Sequence, residues 1–406
     1  MKAKAYNEHW IFNGLVQQAA RHWGKRGLLP VGQEKAIAQA FPDARYSPHL
    51  FIKIALFIFT CIGTIGAALF VSLMVGSSLK SGFQEEQVFI ACSLLCGLGA
   101  FFFLEVLIPA NQLYRSGPDN ALLYLGLTFI VAALWLLYSI ILPGPMQWEG
   151  LIARGLLWQL LLPIWVVLLA AMIRYADPVV AAISLGTYLG IVATFTLQFT
   201  LGKALLPFVL MLAAGGSYYT VKRLSHRPDA FYYHTSLQTA KALSLACFYL
   251  AGNYLIVREG NALLNNLPVS TQISFAPLFY FLTAAIPLLY LYTGLRSADR
   301  IFLHTGLLAV AFSLYTLRFY RQVLPMETAL TLAGAALVLL SGWALRYLRP
   351  ARHGLTSEPA DSPAFIHLNL EALATAHLTE NSLKVPERGF QFGGGSSGGG
   401  GAVGEY

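Results

Sequence analysis

The chain has 406 residues, 56% of them hydrophobic and 11% charged, with a mean hydropathy of +0.60 and a formal net charge of +8. A soluble domain is usually about 45–50% apolar and about 25% charged, so this chain has too little charge to face water over its whole surface. Soluble, wholly disordered, collagenous and coiled-coil classes are thereby excluded, and the expected fold class is all-α: a polytopic transmembrane helix bundle of about ten spans, with a small N-terminal helical hairpin and a disordered glycine-rich tail.

Residues 1–49 form a polar leader with seven Lys/Arg. From Glu8 to Trp23, Trp10, Ile11, Leu15, Ala19 and His22 recur at helical spacing. The stretch Gly24 to Pro30 breaks the pattern, Glu34 to Phe41 resumes it with Ala36, Ile37 and Ala40, and Pro42 closes the segment. A hairpin this small is not firmly stable alone, so it is expected to dock on the membrane domain or on a protein partner. Its second helix carries Lys35 as its one cation and has no cluster of side chains suited to base edges, so nucleic acid is not an expected partner. The first apolar run begins near Leu50, too late for a cleaved secretory signal, and is expected to serve as an uncleaved one.

About 20 apolar residues are needed to cross about 30 Å of hydrocarbon as a helix. Ten runs qualify: Ile54 to Met74, Val88 to Ile108, Ala121 to Leu142, Leu156 to Ile173, Val179 to Leu197, Leu205 to Val221, Ala240 to Val257, Ile273 to Thr293, Ile301 to Leu317 and Ala329 to Tyr347. Eight or nine spans also satisfy the pattern, the fifth, sixth and ninth runs being the shortest or least separated. Pro163 and Pro287 lie inside spans and predict kinks. Gly186 and Gly190 form a GxxxG pair, and Ala213 to Ser217 a second small-residue run, both expected as close helix contacts.

With the N-terminus cytoplasmic, only Lys80, Arg154, Lys203, Arg258, Arg318 and Arg321 fall outside, against 21 Lys/Arg inside. The positive-inside bias therefore predicts a multi-pass protein in contact with the lipid bilayer, with both termini cytoplasmic. Residues 349–406 make a polar tail. Its end, Gly393 to Gly401 with Ser396 and Ser397, is a flexible coil by composition.

Chemical signatures are sparse. Cys61, Cys92, Cys96 and Cys247 sit in apolar runs without metal-ligand companions. His226, Asp229 and His234 share one loop, where a solvated basic segment beside anionic lipid is the ordinary reading. No HExxH, Walker A, GxSxG or dinucleotide-binding pattern stands in a suitable setting, so no catalytic, cofactor-binding or metal residue is expected. Glu105 is the one acid within an expected span, and Lys241 enters the seventh span from the same face at comparable depth; the two are the expected intramembrane pair. Asn253, His304 and Gln159 are the polar groups expected to line a cavity if one exists.

The pattern Trp23, Gly27, Leu28, Leu29, Gln33, Ile37, Phe41, followed by a first span containing Gly63, Gly66, Ala67 and Ala68, resembles a bacterial family of polytopic membrane proteins defined only as a domain of unknown function. The likeness covers roughly the first 75 residues and the multi-span layout, and implies a bacterial inner-membrane protein. The functions that fit this sequence are a membrane scaffold or sensor first, a small-molecule transporter second and a membrane-embedded enzyme third.

Overall fold

The computed structural model describes residues 4–79, 85–141, 155–297 and 299–321, with scattered positions as far as Arg346. The described residues fold into α1 (Glu8–Lys25), α2 (Val31–Ala40), α3 (Leu50–Leu79), α4 (Glu85–Asn111), α5 (Pro118–Ile141), α6 (Leu157–Tyr175), α7 (Pro178–Thr196), α8 (Gly202–Leu224), α9 (Ala230–Gly252), α10 (Tyr254–Leu264), α11 (Ala276–Arg296) and α12 (Arg300–Arg321). Eight of these, α3 to α8 with α11 and α12, are individually long and apolar enough to cross a membrane, and α9 with α10 qualify together as a span bent by 70°. The chain is a polytopic helical bundle, as its hydropathy requires. The expected tenth span is described only at scattered positions, and the glycine-rich tail and the stretch Phe365 to Leu383 lie outside the described residues.

Helix ends follow local chemistry. The Asp177 side chain accepts from the Val179 and Val180 amides and Pro178 stands at the first helical position, which starts α7 with two of its free donors satisfied. Just before it, Ala176 adopts φ +48 and ends α6 in a left-handed turn. Two helices thus reverse direction within two residues, and successive helices pack as neighbours throughout the bundle.

α9 is the hub. It packs on α7, α8, α11 and α12, and the leader helix α1 reaches its first turns. One buried core joins Leu104 and Ile108 of α4, Leu123 of α5, Leu160 and Leu168 of α6, Tyr232 of α9, and Tyr6 and Ile11 of the leader. A second joins Leu245 and Tyr249 of α9 to Ile286 and Tyr290 of α11 and Ala309 of α12. By contrast α3 packs chiefly on α4 and α5 among the described residues and exposes Phe51, Phe59, Leu69 and Phe70, an apolar outer face of the kind lipid covers.

Pro163 and Pro287 lie inside α6 and α11. Two expectations are corrected. The GxxxG pair of α7 is not a tight contact: a Cβ on Gly186 would meet nothing within 4 Å and one on Gly190 would make an ordinary contact with Leu161 Cδ1 at 3.5 Å, whereas one on Gly97 would press Ile130 Cγ1 at 2.9 Å and the Gly126 carbonyl at 3.2 Å. The tight approach is where α4 crosses α5, a site without the motif. The seventh span does not run straight from Ala240 to Val257: its helix starts ten residues earlier and turns at Asn253, where there is no proline.

Candidate functional site

At the end of the bundle that carries the leader, the chain turns between α6 and α7 leave carbonyls without helical partners. Tyr232 Oη donates to the Arg174 carbonyl (2.7 Å), Tyr233 Oη to Ile173 (2.9 Å), and Ser236 Oγ and Arg115 Nη2 to Ala176. The leader joins this cluster before its first helix begins. The Ala5 amide donates to the Arg174 carbonyl at 3.0 Å, and Lys4 pairs with Glu8 and Asp229. Tyr6 is buried, its ring edge-on to Tyr114, and its hydroxyl donates to Asp119 Oδ2 at 2.9 Å.

Asp119 is fully buried in the first turn of α5 and accepts from the backbone amides of Arg115 (2.6 Å), Ser116 (2.9 Å) and Gly117 (3.1 Å) as well as from Tyr6. One carboxylate thus ties the loop that precedes α5 to the leader. Burial, then the neighbouring Asp119 charge, raises the Tyr6 phenol well above its usual range, so the hydroxyl keeps its proton and remains a donor. Leader docking is therefore a buried, charge-assisted contact. The hairpin folds back on itself through Asn13 Nδ2 to the Pro42 carbonyl and Gln17 Nε2 to the Phe41 carbonyl, while most of α2 stays exposed.

Glu105 and Lys241 do not pair with each other. Arg174 Nε and Nη2 grip Glu105 bidentately at 2.6 and 2.7 Å, and Tyr175 Oη donates to it at 2.6 Å. Lys241 instead forms an ion pair with Asp299, whose other oxygen caps α12 through the Ile301 amide. The reason is helix order: α9 turns Lys241 toward α12, and the partner at Glu105's depth comes from α6, one residue beyond the expected end of the fourth span. His304 and Gln159 are exposed, Gln159 accepting from Tyr138 Oη, and neither lines a cavity.

At the far end, Asn253 makes the break between α9 and α10. It is fully buried, its Oδ1 accepts from the Leu255 and Ile256 amides to start α10, and its Nδ2 donates to Tyr249 Oη (2.9 Å) and Thr316 Oγ1 (3.2 Å). Thr283 of α11 accepts the Tyr254 amide, and Ser313 of α12 bridges Tyr249 to the Thr283 carbonyl. Backbone opened at membrane depth is tolerated when protein re-satisfies it, and here Asn253 and Thr283 of α11 do so. Gly252 sits close against this packing, a Cβ there meeting Ile286 Cδ1 at 2.9 Å. Beyond the break, Arg258 donates to the Ser270 carbonyl at 2.7 Å and lies over the Tyr320 ring, while Tyr320 Oη donates to Glu259, which ties α10 across the end of α12.

Between α8, α10 and the start of α11 lies a cavity of about 280 Å³. Lys203, Asn261, Gln272 and Ser274 supply its polar groups, and Leu206, Pro207, Leu210, Val257, Ile273 and Phe279 its apolar wall. Asn253 is not part of that wall. Among the described residues no group of three His, Cys, Asp or Glu is placed to hold a metal ion, so His226, Asp229 and His234 do not converge. Sequence reasoning missed Tyr6, Asp119, Arg174 and Asp177; the Gly-Pro-Asp and Ala-Asp-Pro starts of α5 and α7 were the available signals for the two acids. Comparison of the chain with family models, with curated proteins and with solved structures finds no match.

Proposed function

We propose that this integral membrane protein is a scaffold or sensor of a bacterial inner membrane, with the leader on the cytoplasmic side as its partner-binding element. The observation that supports this reading is the leader's attachment: Tyr6 is buried on Asp119, whereas α2, which packs on α1, exposes Gln33, Lys35 and Gln39. A hairpin anchored at one edge and open at the other suits presentation to a protein partner.

Photo-crosslinkers at Gln33, Lys35 or Gln39 of the full-length protein in native membranes test it. A discrete protein adduct is expected from these positions, absent from His304 on α12 and diminished by Tyr6→Ala, which undocks the leader. Lipid adducts alone from α2 would refute the reading.

A transporter is the second reading, favoured by the broken α9/α10 span beside a cavity, because discontinuous helices commonly build substrate sites. It requires solute flux in sealed proteoliposomes. The absence of any described catalytic grouping gives a membrane-embedded enzyme no comparable support.

A further inference from the structure

We propose that the far-end cavity binds a small single-chain amphiphile with an anionic head, a carboxylate of about octanoate size. The inference goes beyond the scaffold or sensor reading and does not depend on it. The size follows from the volume, about 280 Å³, set against a carboxylate of ten non-hydrogen atoms. It lies at the lower edge of the ~300–1,000 Å³ typical of ligand pockets, which excludes larger ligands and whole phospholipids from full enclosure.

The amphiphilic character follows from how the wall is ordered. Lys203 stands at the first turn of α8, Gln272 and Ser274 just precede α11, and Asn261 lies in the outer half of α10. Leu206, Pro207 and Leu210 continue inward along α8, and Phe279 lies a turn into α11. Lys203 to Leu210 spans seven residues, about 10 Å of helix at 1.5 Å per residue, which matches the length of an extended eight-carbon chain. Polar groups gather at the outer end and apolar ones line the depth.

The sign of the head group follows from Lys203. Its Nζ is 3.0 Å from the Leu264 carbonyl and 3.1 Å from Asn265 Oδ1, both neutral acceptors, and it has no carboxylate partner among the described residues. Arg258, the cation of the adjoining α10, is instead committed to the Ser270 carbonyl and two tyrosine rings. The amino ends of α8 and α11 meet at the same rim without a side-chain cap, which adds partial positive charge beside Lys203. A carboxylate at the rim accepts from Lys203 while its chain displaces water from the Leu206 to Phe279 wall.

The test uses full-length protein in lipid nanodiscs and equilibrium dialysis of radiolabelled octanoate, 1-octanol and n-octylammonium, each corrected for empty nanodiscs. Saturable binding of about one octanoate per protein is expected, with a Kd about tenfold below that of either other probe, the worth of one charge-assisted contact. Lys203→Gln should raise the octanoate Kd to the octanol value, Lys203→Arg should restore it, and Val257→Trp, which fills the cavity, should abolish saturable binding. Thermal unfolding verifies that each variant folds. Octanol or octylammonium binding as tightly as octanoate, or indifference to Lys203→Gln, would overturn the anionic head. An absence of saturable octanoate binding, or wild-type binding by Val257→Trp, would overturn the site itself.

Discussion

Removing the Tyr6 contact should release the leader and leave the membrane helices in place. Tyr6→Phe deletes one donor to Asp119 Oδ2 but keeps the buried ring, and Asp119 retains the Arg115, Ser116 and Gly117 amides. A hydrogen bond to a charged acceptor is worth about 1.5–3 kcal/mol, and with three amides remaining the lower value applies, about a tenfold rise in leader opening. Tyr6→Ala also removes a ring that is 5% exposed and packed against Tyr114, at a cost of about 3–5 kcal/mol by analogy with buried aromatic truncations. Hydrogen exchange on the intact protein in nanodiscs reads this directly. Peptides covering Lys4 to Gly14 should exchange about tenfold faster in Tyr6→Phe and near the unprotected rate in Tyr6→Ala, while α5 and α6 keep their protection. The reasoning fails if both variants exchange like wild type, or if α5 and α6 lose protection together with the leader, since Tyr6 would then support the whole bundle rather than the dock.

Four further outcomes are expected. A double-mutant cycle on Glu105→Gln and Arg174→Gln, read by thermal unfolding, should give a coupling of about 1–2 kcal/mol, between the exposed and the buried limits, because the two side chains are 32% and 23% exposed; the Glu105 and Lys241 cycle should give none. Asn253→Leu should destabilise the protein by at least the ~1 kcal/mol of a lost helix cap, and by more because Tyr249 and Thr316 lose a donor; wild-type stability would remove the break's structural role. Burial acts against the Asp43 carboxylate, but the Arg45 guanidinium at 2.7 Å prevails and holds it below its ordinary value of 3.8. A depressed carboxylate stabilises above its unfolded value and ceases to as pH falls through the folded one, so protection of Phe41 to Tyr46, corrected for intrinsic exchange, should be flat from pH 7 to 5 and fall below 3.8, and Asp43→Asn should be flat throughout. Reporter fusions after Ser81 and Asn265 should register outside and those after Pro228 and Arg352 inside; an external C-terminus would reject the orientation.

The helices of the bundle were legible because hydrocarbon leaves the backbone no partner but itself, which forces long apolar runs into recognisable spans. The runs containing α3 to α8, α11 and α12 were placed to within a few residues of their observed ends. The seventh run misled because its average apolarity straddles Asn253, and an average over a window is blind to the point at which a chain turns. Asn253 drew notice as a polar group at depth, but its role as the cap that starts α10 depends on Thr283 and Thr316 from helices distant in sequence. The same limit explains the Glu105 partner. Position along the chain fixes depth, and Lys241 and Arg174 have similar depths; which of them reaches Glu105 depends on helix order, for which the sequence offers no periodic signal. Tyr6 was invisible for another reason, since it precedes the α1 pattern and acts through a single contact.

The way acids are held also bears on the choice between functions. Coupled transport by carboxylate protonation needs an acid that can take up and release a proton while the bundle changes state. Asp119 and Asp177 instead hold the amino ends of α5 and α7, Asp299 caps α12, Glu259 receives the Tyr320 hydroxyl, and Glu105 is gripped by Arg174 and Tyr175. Removing the Asp119 or Asp177 side chain would weaken a helix start, and removing that of Glu105 would strand Arg174 among apolar helices. Each of these five acids is thus held as part of the framework. A framework fixed in this way is what the proposed scaffold or sensor needs, and the two features that the proposals assign to ligands and partners, the leader on Tyr6 and the Lys203 cavity, lie at its two ends.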